Sequence, residues 1–445
     1  MSGWEYDVAV IGLGPTGAVL ANLCGLYGLR TVVFEASSEP YPQPRACHLD
    51  AEIARVLAQC GFGDQLAEVL TVSAGMEFVA PDGGRVFSFE DFEREPLLGW
   101  HEDYVFVQPE LDAMLRDGLR RFENVEVRVG CAAPPPSELL HRAHWVVGCD
   151  GASSGTRAAL GIELTDAGFD QSWLVVDVSV DANDARVRQL PTIIQQVCDV
   201  RRLATFVPSH RHHRRWEFRL GDREQPDVWA LLRPWGVDSG NSRLLRSVPY
   251  RFHALVADPW RAGPDGRVLL AGDAAHQMPP FMGQGMCSGI RDAAALAWRF
   301  AEPDAAGALN DYESERRPHV VAAIGLSIEA GALIESLAVD LDARRPLRLP
   351  QPAPSDPTRW SRLPGLDLGA PFPVGHQVPG PPGLDDALGL DWAWVVASAA
   401  TRLRDDGVRR VLVEPAATYG FDAVLVRPDR YIAAVSGTPT SAAHA

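Results

Sequence analysis

The sequence predicts an α/β fold in which a parallel-sheet domain is interrupted by an antiparallel sheet and followed by a short C-terminal segment. The N-terminal hydrophobic pattern indicates a βαβ unit, with a helix at 16–27 between strands at 7–11 and 29–35. Further along, apolar and polar residues alternate, as in half-buried antiparallel strands, at 173–180, 214–220 and 250–256. A third observation is a return to helical periodicity after residue 283.

The other elements follow the same patterns. A helix is predicted at 109–122, a strand at 144–149 and a long helix at about 308–338. The parallel-sheet domain therefore comprises 1–170 and 260–345, with the antiparallel sheet at 171–259. Residues 346–382 hold eleven prolines and are predicted to be a linker. Residues 383–445 form the C-terminal segment, with short strands at 392–397 and 423–426.

Composition excludes several classes of function. With 445 residues, of which 46% are hydrophobic, the chain can build two or three packed units. A formal net charge of −17 argues against nucleic-acid or anionic-membrane partners, which need a basic surface. All 41 basic residues are Arg, so Schiff-base chemistry, pyridoxal phosphate attachment and a Walker lysine are excluded.

The cysteines and the N-terminus indicate a cytoplasmic protein. The seven Cys are odd in number and contain no Cys-x-x-Cys pair, which argues against a disulfide framework and against a disulfide reductase. The N-terminus has no basic region of the signal-peptide type, and no uninterrupted apolar run is long enough to predict a membrane-spanning helix.

A glycine-rich motif lies between the first predicted strand and helix. It consists of Gly12, Gly14 and Gly17, with Thr16 inside it. In this setting the glycines let the backbone approach a pyrophosphate, which rests on the helix N-terminus. Glu35 ends the second strand, where a carboxylate can bind a ribose hydroxyl. The motif predicts a bound dinucleotide and does not separate FAD from NAD.

Two later motifs complete a series of three. Asp150-Gly151-x-x-Ser154-x-x-Arg157 follows the strand at 144–149, and a third motif runs from Gly272-Asp273 through Pro279-Pro280 to Gly283-Gln284-Gly285. In this order they resemble the FAD-dependent aromatic hydroxylases, the single-component flavoprotein monooxygenases of the 4-hydroxybenzoate hydroxylase type. Stretches at 214–218, 250–254 and 278–292 are similar to the branch that contains 3-(3-hydroxyphenyl)propionate hydroxylase and aromatic polyketide hydroxylases. The resemblance covers about residues 5–340.

The resemblance implies a more specific fold. It would be a Rossmann-like FAD-binding domain with an inserted antiparallel-sheet substrate domain and a shortened thioredoxin-like C-terminal segment. Residues 425–431 resemble the final strand pair of that segment, which contains no Cys in this chain. We therefore expect it to serve packing or dimerisation and to have no redox role.

The resemblance also assigns residues to the cofactor. Asp273 matches the aspartate that binds the ribityl chain, and the turn at 283–285 matches the segment beside the flavin pyrimidine ring. A helix N-terminus there would offer N–H groups to the negative charge of reduced flavin. Arg45 and Gln108 resemble an arginine and a glutamine beside FAD, although either could be an ordinary surface or capping residue. The cofactor-binding set is Gly12, Gly14, Thr16, Gly17, Glu35, Arg45, Gln108, Asp150, Gly151, Arg157, Gly272, Asp273, Pro280, Gly283, Gln284, Gly285 and Met286.

The implied reaction is hydroxylation of a phenolic compound. The enzyme would be an FAD-dependent monooxygenase that uses NADPH or NADH and O2 through a flavin C4a-hydroperoxide. Catalysis is assigned to Arg45 and to Pro279 and Pro280, whose backbone carbonyls would border the oxygen site. Two alternatives stay open: epoxidation or Baeyer–Villiger insertion on a polycyclic substrate, and a flavin-loaded binding protein without turnover. A homodimer is compatible with the sequence.

Residues for the aromatic substrate are the least constrained. Trp216 and Phe218 share one face of the strand at 214–220 and could line an aromatic pocket or belong to the sheet core. His48 could approach the substrate ring or be structural. The His- and Arg-rich run at 210–214 lies in a predicted turn without acidic ligands, so no metal site is predicted.

Overall fold

The strands and helices lie within the described part of the chain. The computed structural model describes residues 3–89, 97–349, 363, 372–381, 383–398, 401, 403 and 407–437. The strands are β1 Tyr6–Ile11, β2 Thr31–Glu35, β3 His48–Asp50, β4 Leu70–Val72, β5 Met76–Val79, β6 Arg85–Phe89, β7 Asp103–Phe106, β8 Val125–Val129, β9 Ala143–Gly148, β10 Glu163–Val180, β11 Ile194–Val197, β12 Ala204–Val207, β13 His213–Arg219, β14 Ser242–Asp258, β15 Arg261–Ala262, β16 Val268–Leu270, β17 His276–Gln277, β18 Ala393–Val396, β19 Arg409–Leu412, β20 Ala423–Val426 and β21 Ile432–Ser436. The helices are α1 Pro15–Leu26, α2 Ala51–Leu57, α3 Leu66–Val69, α4 Gln108–Gly118, α5 Pro136–Leu139, α6 Gly155–Ala159, α7 Val228–Leu232, α8 Gln284–Ala301, α9 Ala305–Ala308, α10 Tyr312–Asp342 and α11 Leu384–Leu388.

A six-stranded sheet in the order β15-β16-β9-β1-β2-β8 forms the parallel domain. All its pairings are parallel except that of the edge strand β15. Both faces are covered, since Val8 and Val10 pack with α1 and α8 while Ala9 packs with the residues of α5. Burial on both faces explains why β1 and β2 are nearly continuous apolar runs.

The inserted sheet has eight strands in the order β17-β14-β10-β13-β12-β11-β5-β6. Its long central strands β10 and β14 pair antiparallel over most of their length. The sheet is larger than the predicted stretch at 171–259, because β10 begins at Glu163 and because β5 joins the sheet by pairing parallel with β11. A small sheet in the order β3-β7-β4 was not predicted, since its strands are only three or four residues long.

Two long helices pack against the parallel domain. Gly289 of α8 lies so close to α1 that a Cβ atom there would be 2.3 Å from Thr16 Oγ1. The segment Ala305–Asp342 is long and apolar enough to cross a membrane by length and composition alone. Within it, however, Val320, Ile324 and Ile334 are buried in the same core as α8, as expected for a core helix.

The C-terminal segment forms a four-stranded sheet in the order β19-β18-β20-β21. The β18–β19 pair is parallel, and the two other pairs are antiparallel. With α11, this mixed sheet encloses its own apolar cluster and fits the shortened thioredoxin-like segment. Most of the predicted linker at 346–382 lies outside the described residues. All seven cysteines are in the described part and are free thiols.

Candidate active site

A cavity of about 900 Å³ lies between the parallel domain and the inserted sheet. Its parallel-domain wall is built from the turns that follow β1, β2 and β9, at the carboxyl ends of three adjacent strands. Ligands of open α/β sheets bind at this edge. The opposite wall comes from β10, β13 and β14, so that the cavity joins a dinucleotide site to a pocket under the antiparallel sheet.

The three glycines of the first motif have different roles. Gly12 has a φ of +100°, and a Cβ there would lie 2.5 Å from the carbonyl oxygen of Cys149. A Cβ on Gly17 would lie 2.1 Å from the carbonyl oxygen of Gly12, so Gly17 is needed for packing and does not line the cavity. Gly14 faces open space in the cavity and begins α1 without a side-chain cap. The free N–H groups of this helix end suit a pyrophosphate.

Glu35 lies on the cavity wall at the end of β2. Its Oε2 accepts a hydrogen bond of 2.9 Å from the backbone N–H of Leu13, and Oε1 accepts one of 2.9 Å from Ser37. These bonds fix the carboxylate beside the glycine turn. Each oxygen keeps acceptor capacity for a ribose hydroxyl, as the sequence predicts.

Asp150 and Gly151 also line the cavity. The two oxygens of Asp150 accept hydrogen bonds from Ser154 Oγ at 2.5 Å and from the Thr156 N–H at 2.9 Å. Gly151 has a φ of +80°, which favours glycine in this turn. The carboxylate of Asp150 therefore shapes its own loop.

The side chain of Arg157, which the sequence places in the cofactor set, is not among the residues that line the cavity, and its cofactor role stays a prediction. Its guanidinium donates to the carbonyl of Ala152 at 2.9 Å and to that of Ala274 at 3.0 Å. Arg157 thus joins the loop of the second motif to that of the third. From outside the cavity, it fixes the position of these two loops, which form part of the cavity wall.

The third motif contributes both cavity-facing and buried residues. Asp273 points into the cavity, where burial raises the pKa of its carboxyl group. Gly272 and the side chain of Gln284 do not line the cavity. Gln284 is instead buried, donating to Asp50 Oδ2 at 3.0 Å and accepting from Arg291 at 3.0 Å. Its predicted cofactor role can therefore involve only the backbone.

The two prolines of the motif line the cavity together with Gly283, Gly285 and Met286. The Pro279 carbonyl accepts a hydrogen bond of 2.8 Å from Ser327 Oγ, and the Pro280 carbonyl accepts one of 2.9 Å from the Gly283 N–H. Both carbonyls are therefore already acceptors within the protein. Their catalytic role stays a prediction.

His48 lies directly against this loop. Its Nε2 is 2.6 Å from Asp103 Oδ1, and its Nδ1 is buried without a partner among the described residues. Burial lowers the pKa of His48, but Asp103 and Cys287 together outweigh it and hold the pKa well above the usual value. A Cβ on Gly283, which has a φ of +63°, would lie 2.4 Å from His48 Nδ1. The imidazole therefore supports the glycine turn as well as lining the cavity.

Gln108 anchors the loop that carries Arg45. Its Oε1 accepts backbone hydrogen bonds from Arg45 at 2.9 Å and Ala46 at 2.8 Å, and its Nε2 donates to Asp112 at 3.3 Å. The Arg45 guanidinium lies 4.3 Å from the centre of the Tyr41 ring at the cavity wall. Gln108 therefore positions Arg45 as well as lining the cavity.

Asp112 is a cavity residue that the sequence did not single out. Its Oδ1 is buried without a partner in the described part of the chain. Burial raises the pKa of this carboxyl group to about 6, against the opposing effects of Arg116 and Gln108. Gln108 could have indicated Asp112 from the sequence alone, because a helix places residues four positions apart on the same face.

The inserted sheet presents charged residues to the cavity. Arg215 donates to Asp177 Oδ1 through Nε at 2.8 Å, and to the carbonyls of Pro44 and Arg45 at 2.6 Å each. It therefore ties the sheet to the Arg45 loop. Glu217 follows on the same face of β13 and also lines the cavity.

Trp216 and Phe218 do not line the cavity, so of the two positions that the sequence left open for them, the aromatic pocket is corrected and the sheet core is supported. They lie on the other face of β13, in a second core with Phe206, where both rings also contact Trp235. Side chains alternate across a strand, so the cavity receives the charged neighbours. No group of metal-binding residues occurs in the described ranges.

Comparison with known proteins assigns the chain to a family. A family model described as an FAD binding domain matches residues 5–132 and 138–327. A probable NADH-specific resorcinol 4-hydroxylase of Rhodococcus jostii is 35% identical over 76% of this chain and 67% of its own length. The chain belongs to the FAD-dependent aromatic hydroxylase family. A second relative of this chain is the 3-(3-hydroxy-phenyl)propionate/3-hydroxycinnamic acid hydroxylase of Burkholderia cenocepacia. It is 33% identical over 74% of this chain and 64% of its own length.

The fold is shared with solved hydroxylases. Aklavinone-11 hydroxylase, in a ternary complex with FAD and aklavinone, superposes with a TM-score of 0.74 at 20% identity, covering 100% of this chain and 97% of that one. FAD is the cofactor of this chain, as the matching FAD binding domain shows. The residues fit FAD, because an uncapped helix end, an open face at Gly14 and the carboxylates of Glu35 and Asp273 share one cavity.

Proposed function

We propose that this hydroxylase uses NAD(P)H and O2 to hydroxylate a phenolic ring that is held beneath the inserted sheet. One observation carries the proposal: a single cavity connects the dinucleotide turn at Gly14 to a pocket walled by β10, β13 and β14. A cofactor and a small aromatic compound can therefore meet inside the protein. A separate surface site for either one would not support this reaction.

When bound, FAD would supply the redox chemistry, namely electron transfer from the nicotinamide and the activation of O2. The chain holds the cofactor through the first glycine turn and Glu35, and the turn at Gly283 closes the wall beside the substrate pocket. The protein must also exclude water from the pocket, because a dry pocket favours transfer of oxygen to the substrate over its release as hydrogen peroxide. Val175 and Phe252 give the pocket apolar wall for an aromatic ring.

The names of two relatives suggest the substrate class. Resorcinol and 3-(3-hydroxyphenyl)propionate are both phenols with a second substituent at the meta position. We therefore propose a 3-substituted phenol as the substrate. A cytoplasmic location and a homodimer belong to the same proposal, and gel filtration tests the second.

The deciding experiment measures NADH and NADPH oxidation by the FAD-loaded protein, with hydrogen peroxide counted alongside. The panel should hold resorcinol, 3-hydroxyphenylpropionate and phenolic polyketides. The expected result is faster oxidation with one phenol, together with hydroxylated product and little peroxide. Phenols that leave the rate unchanged would contradict ring hydroxylation.

The same assay separates the alternatives. Turnover of a polycyclic ketone or alkene, without turnover of phenols, would indicate Baeyer–Villiger insertion or epoxidation. A flavin that neither NADH nor NADPH reduces, with every compound tried, would indicate a binding protein without turnover.

A further inference from the structure

Glu217 is a buried carboxylate to which the hydroxylation reaction described above assigns no role. It lies in the middle of β13, is 9% exposed and lines the cavity. In the sheet register, Val175 of β10 stands opposite it on one side and Thr205 of β12 on the other. The Thr205 hydroxyl already donates to Gln196 at 2.8 Å. An apolar surface therefore adjoins a free carboxylate.

Within the described residues, no hydrogen-bond donor reaches this carboxylate. The nearest cation is Arg215, whose Nη1 is 3.8 Å from Glu217 Oε1, beyond hydrogen-bond distance. Arg215 has already directed its N–H groups to Asp177 and to the carbonyls of Pro44 and Arg45. The Glu217 oxygens are open to the cavity, where a donor from a ligand can reach them and form a charge-assisted hydrogen bond.

The charges around Glu217 indicate which donor fits. Asp177 and Glu217 are balanced by Arg215 and by Arg246, which lines the cavity with its Nε buried and without a partner in the described chain. Arg45 adds a third guanidinium to the same cavity, yet none of the three donates a hydrogen bond to Glu217 among the described residues. A neutral hydroxyl donor suits this end of the pocket better than a carboxylate, which Glu217 would repel.

We propose that Glu217 determines substrate specificity by accepting the hydrogen bond of the phenolic hydroxyl while the ring packs on Val175. This role rests on the proposed function, since it assumes a phenol in the pocket. The bond fixes the orientation of the ring. It also draws the hydroxyl proton toward the carboxylate, which raises electron density at the ortho and para carbons.

The test compares two ligands of the same shape, 3-methylphenol and 1,3-dimethylbenzene, which differ only by hydroxyl against methyl. Equilibrium binding to the oxidised, FAD-loaded protein is measured by calorimetry for the wild type, Glu217→Gln and Glu217→Leu. Glu163→Gln is the matched control, because Glu163 is an exposed glutamate at the start of β10. Thermal unfolding and FAD content report whether each variant is folded.

The wild type should prefer the phenol, and Glu217→Gln should reduce this preference on the order of tenfold because a charged acceptor becomes neutral. Glu217→Leu should remove the preference and leave 1,3-dimethylbenzene binding equal or tighter. Glu163→Gln should change nothing. Equal losses for both ligands would indicate a structural role and overturn the proposal.

If neither Glu217 variant folds, the wild type alone decides, because equal affinity for the two ligands contradicts a hydroxyl acceptor. Binding needs no turnover, so this outcome is independent of the oxidation assay. A phenol preference that the Glu217 variants lose, without NAD(P)H oxidation, would support Glu217 as the acceptor and overturn the hydroxylase function. Oxidation without a phenol preference would do the reverse.

Discussion

Tyr431 Oη donates a hydrogen bond of 2.6 Å to Glu52 Oε1, and this bond joins the C-terminal sheet to helix α2. Both residues are buried, and Glu52 is also paired with Arg291 of α8 at 2.7 Å. A second link is the Arg55–Asp385 pair at 2.7 Å. The buried charged side chains of helix α2 thus hold the C-terminal segment in place. This helix follows the cavity-lining loop that carries Arg45.

Removing this hydroxyl should loosen the C-terminal segment. Tyr431→Phe should lower the free energy of unfolding by about 1.5–3 kcal/mol, because the buried Glu52 loses a donor. Denaturant unfolding measures the loss, and limited proteolysis locates it. Tyr419→Phe is the comparison, since Tyr419 donates to the carbonyl of Gln377 within the segment and should cost less. Equal effects of the two variants would contradict a special role for the Glu52 bond.

The turn at Gly283 should not accept a side chain. Gly283→Ala adds a Cβ at a φ of +63° and 2.4 Å from His48 Nδ1, so FAD retention and thermal stability should both fall. Gly161→Ala separates strain from contact, because Gly161 has a φ of +65° and a Cβ added there would meet no atom within 4 Å. The control should cost only about 1–2 kcal/mol of backbone strain and keep FAD. Absorbance of the bound flavin after gel filtration measures retention.

Arg45 should matter for the cofactor and not for the fold. Arg45→Ala should weaken FAD retention or slow flavin reduction by NAD(P)H, because the guanidinium on the cavity wall is lost. The melting temperature of the apoprotein should change little, since the side chain is exposed. Arg120→Ala, at an exposed position, is the control. Unchanged FAD content and reduction rate would remove Arg45 from the site.

Asp112 should make stability depend on pH. Because its folded pKa of about 6 lies above its ordinary value of 3.8, the folded state binds more protons between these values. Stability therefore falls as pH rises from about 4 to about 6 and stays lower above that. Asp112→Asn should raise the free energy of unfolding at pH 7 by up to roughly 3 kcal/mol, with no gain below pH 4.

Thermal unfolding across this pH range, at a fixed FAD excess, checks the Asp112 prediction. Asp117→Asn, on the exposed face of the same helix, is the matched control variant. A gain of equal size at pH 4 and pH 7 would show that packing, and not ionisation, is responsible.

The elements near the cofactor could be predicted because their signals are local. The helix predicted at 16–27 is Pro15–Leu26, and the strand at 423–426 is Ala423–Val426. The glycine turn and the carboxylate at the end of β2 both belong to a single βαβ unit. Short strands such as β3 carry too few residues for a periodic pattern, so the sheet that positions His48 was missed.

Sequence by itself determined the cofactor and the family, since each depends on motifs whose residues are neighbours in the chain. Only the tertiary structure decided which face of β13 meets the cavity. Both faces of that strand are buried, one against Phe206 and Trp235 and the other against the cavity walls. Hydrophobicity alone leaves Trp216 open between an aromatic pocket and the sheet core, whereas the packing of the second core places Trp216 there and leaves Arg215 and Glu217 facing the cavity.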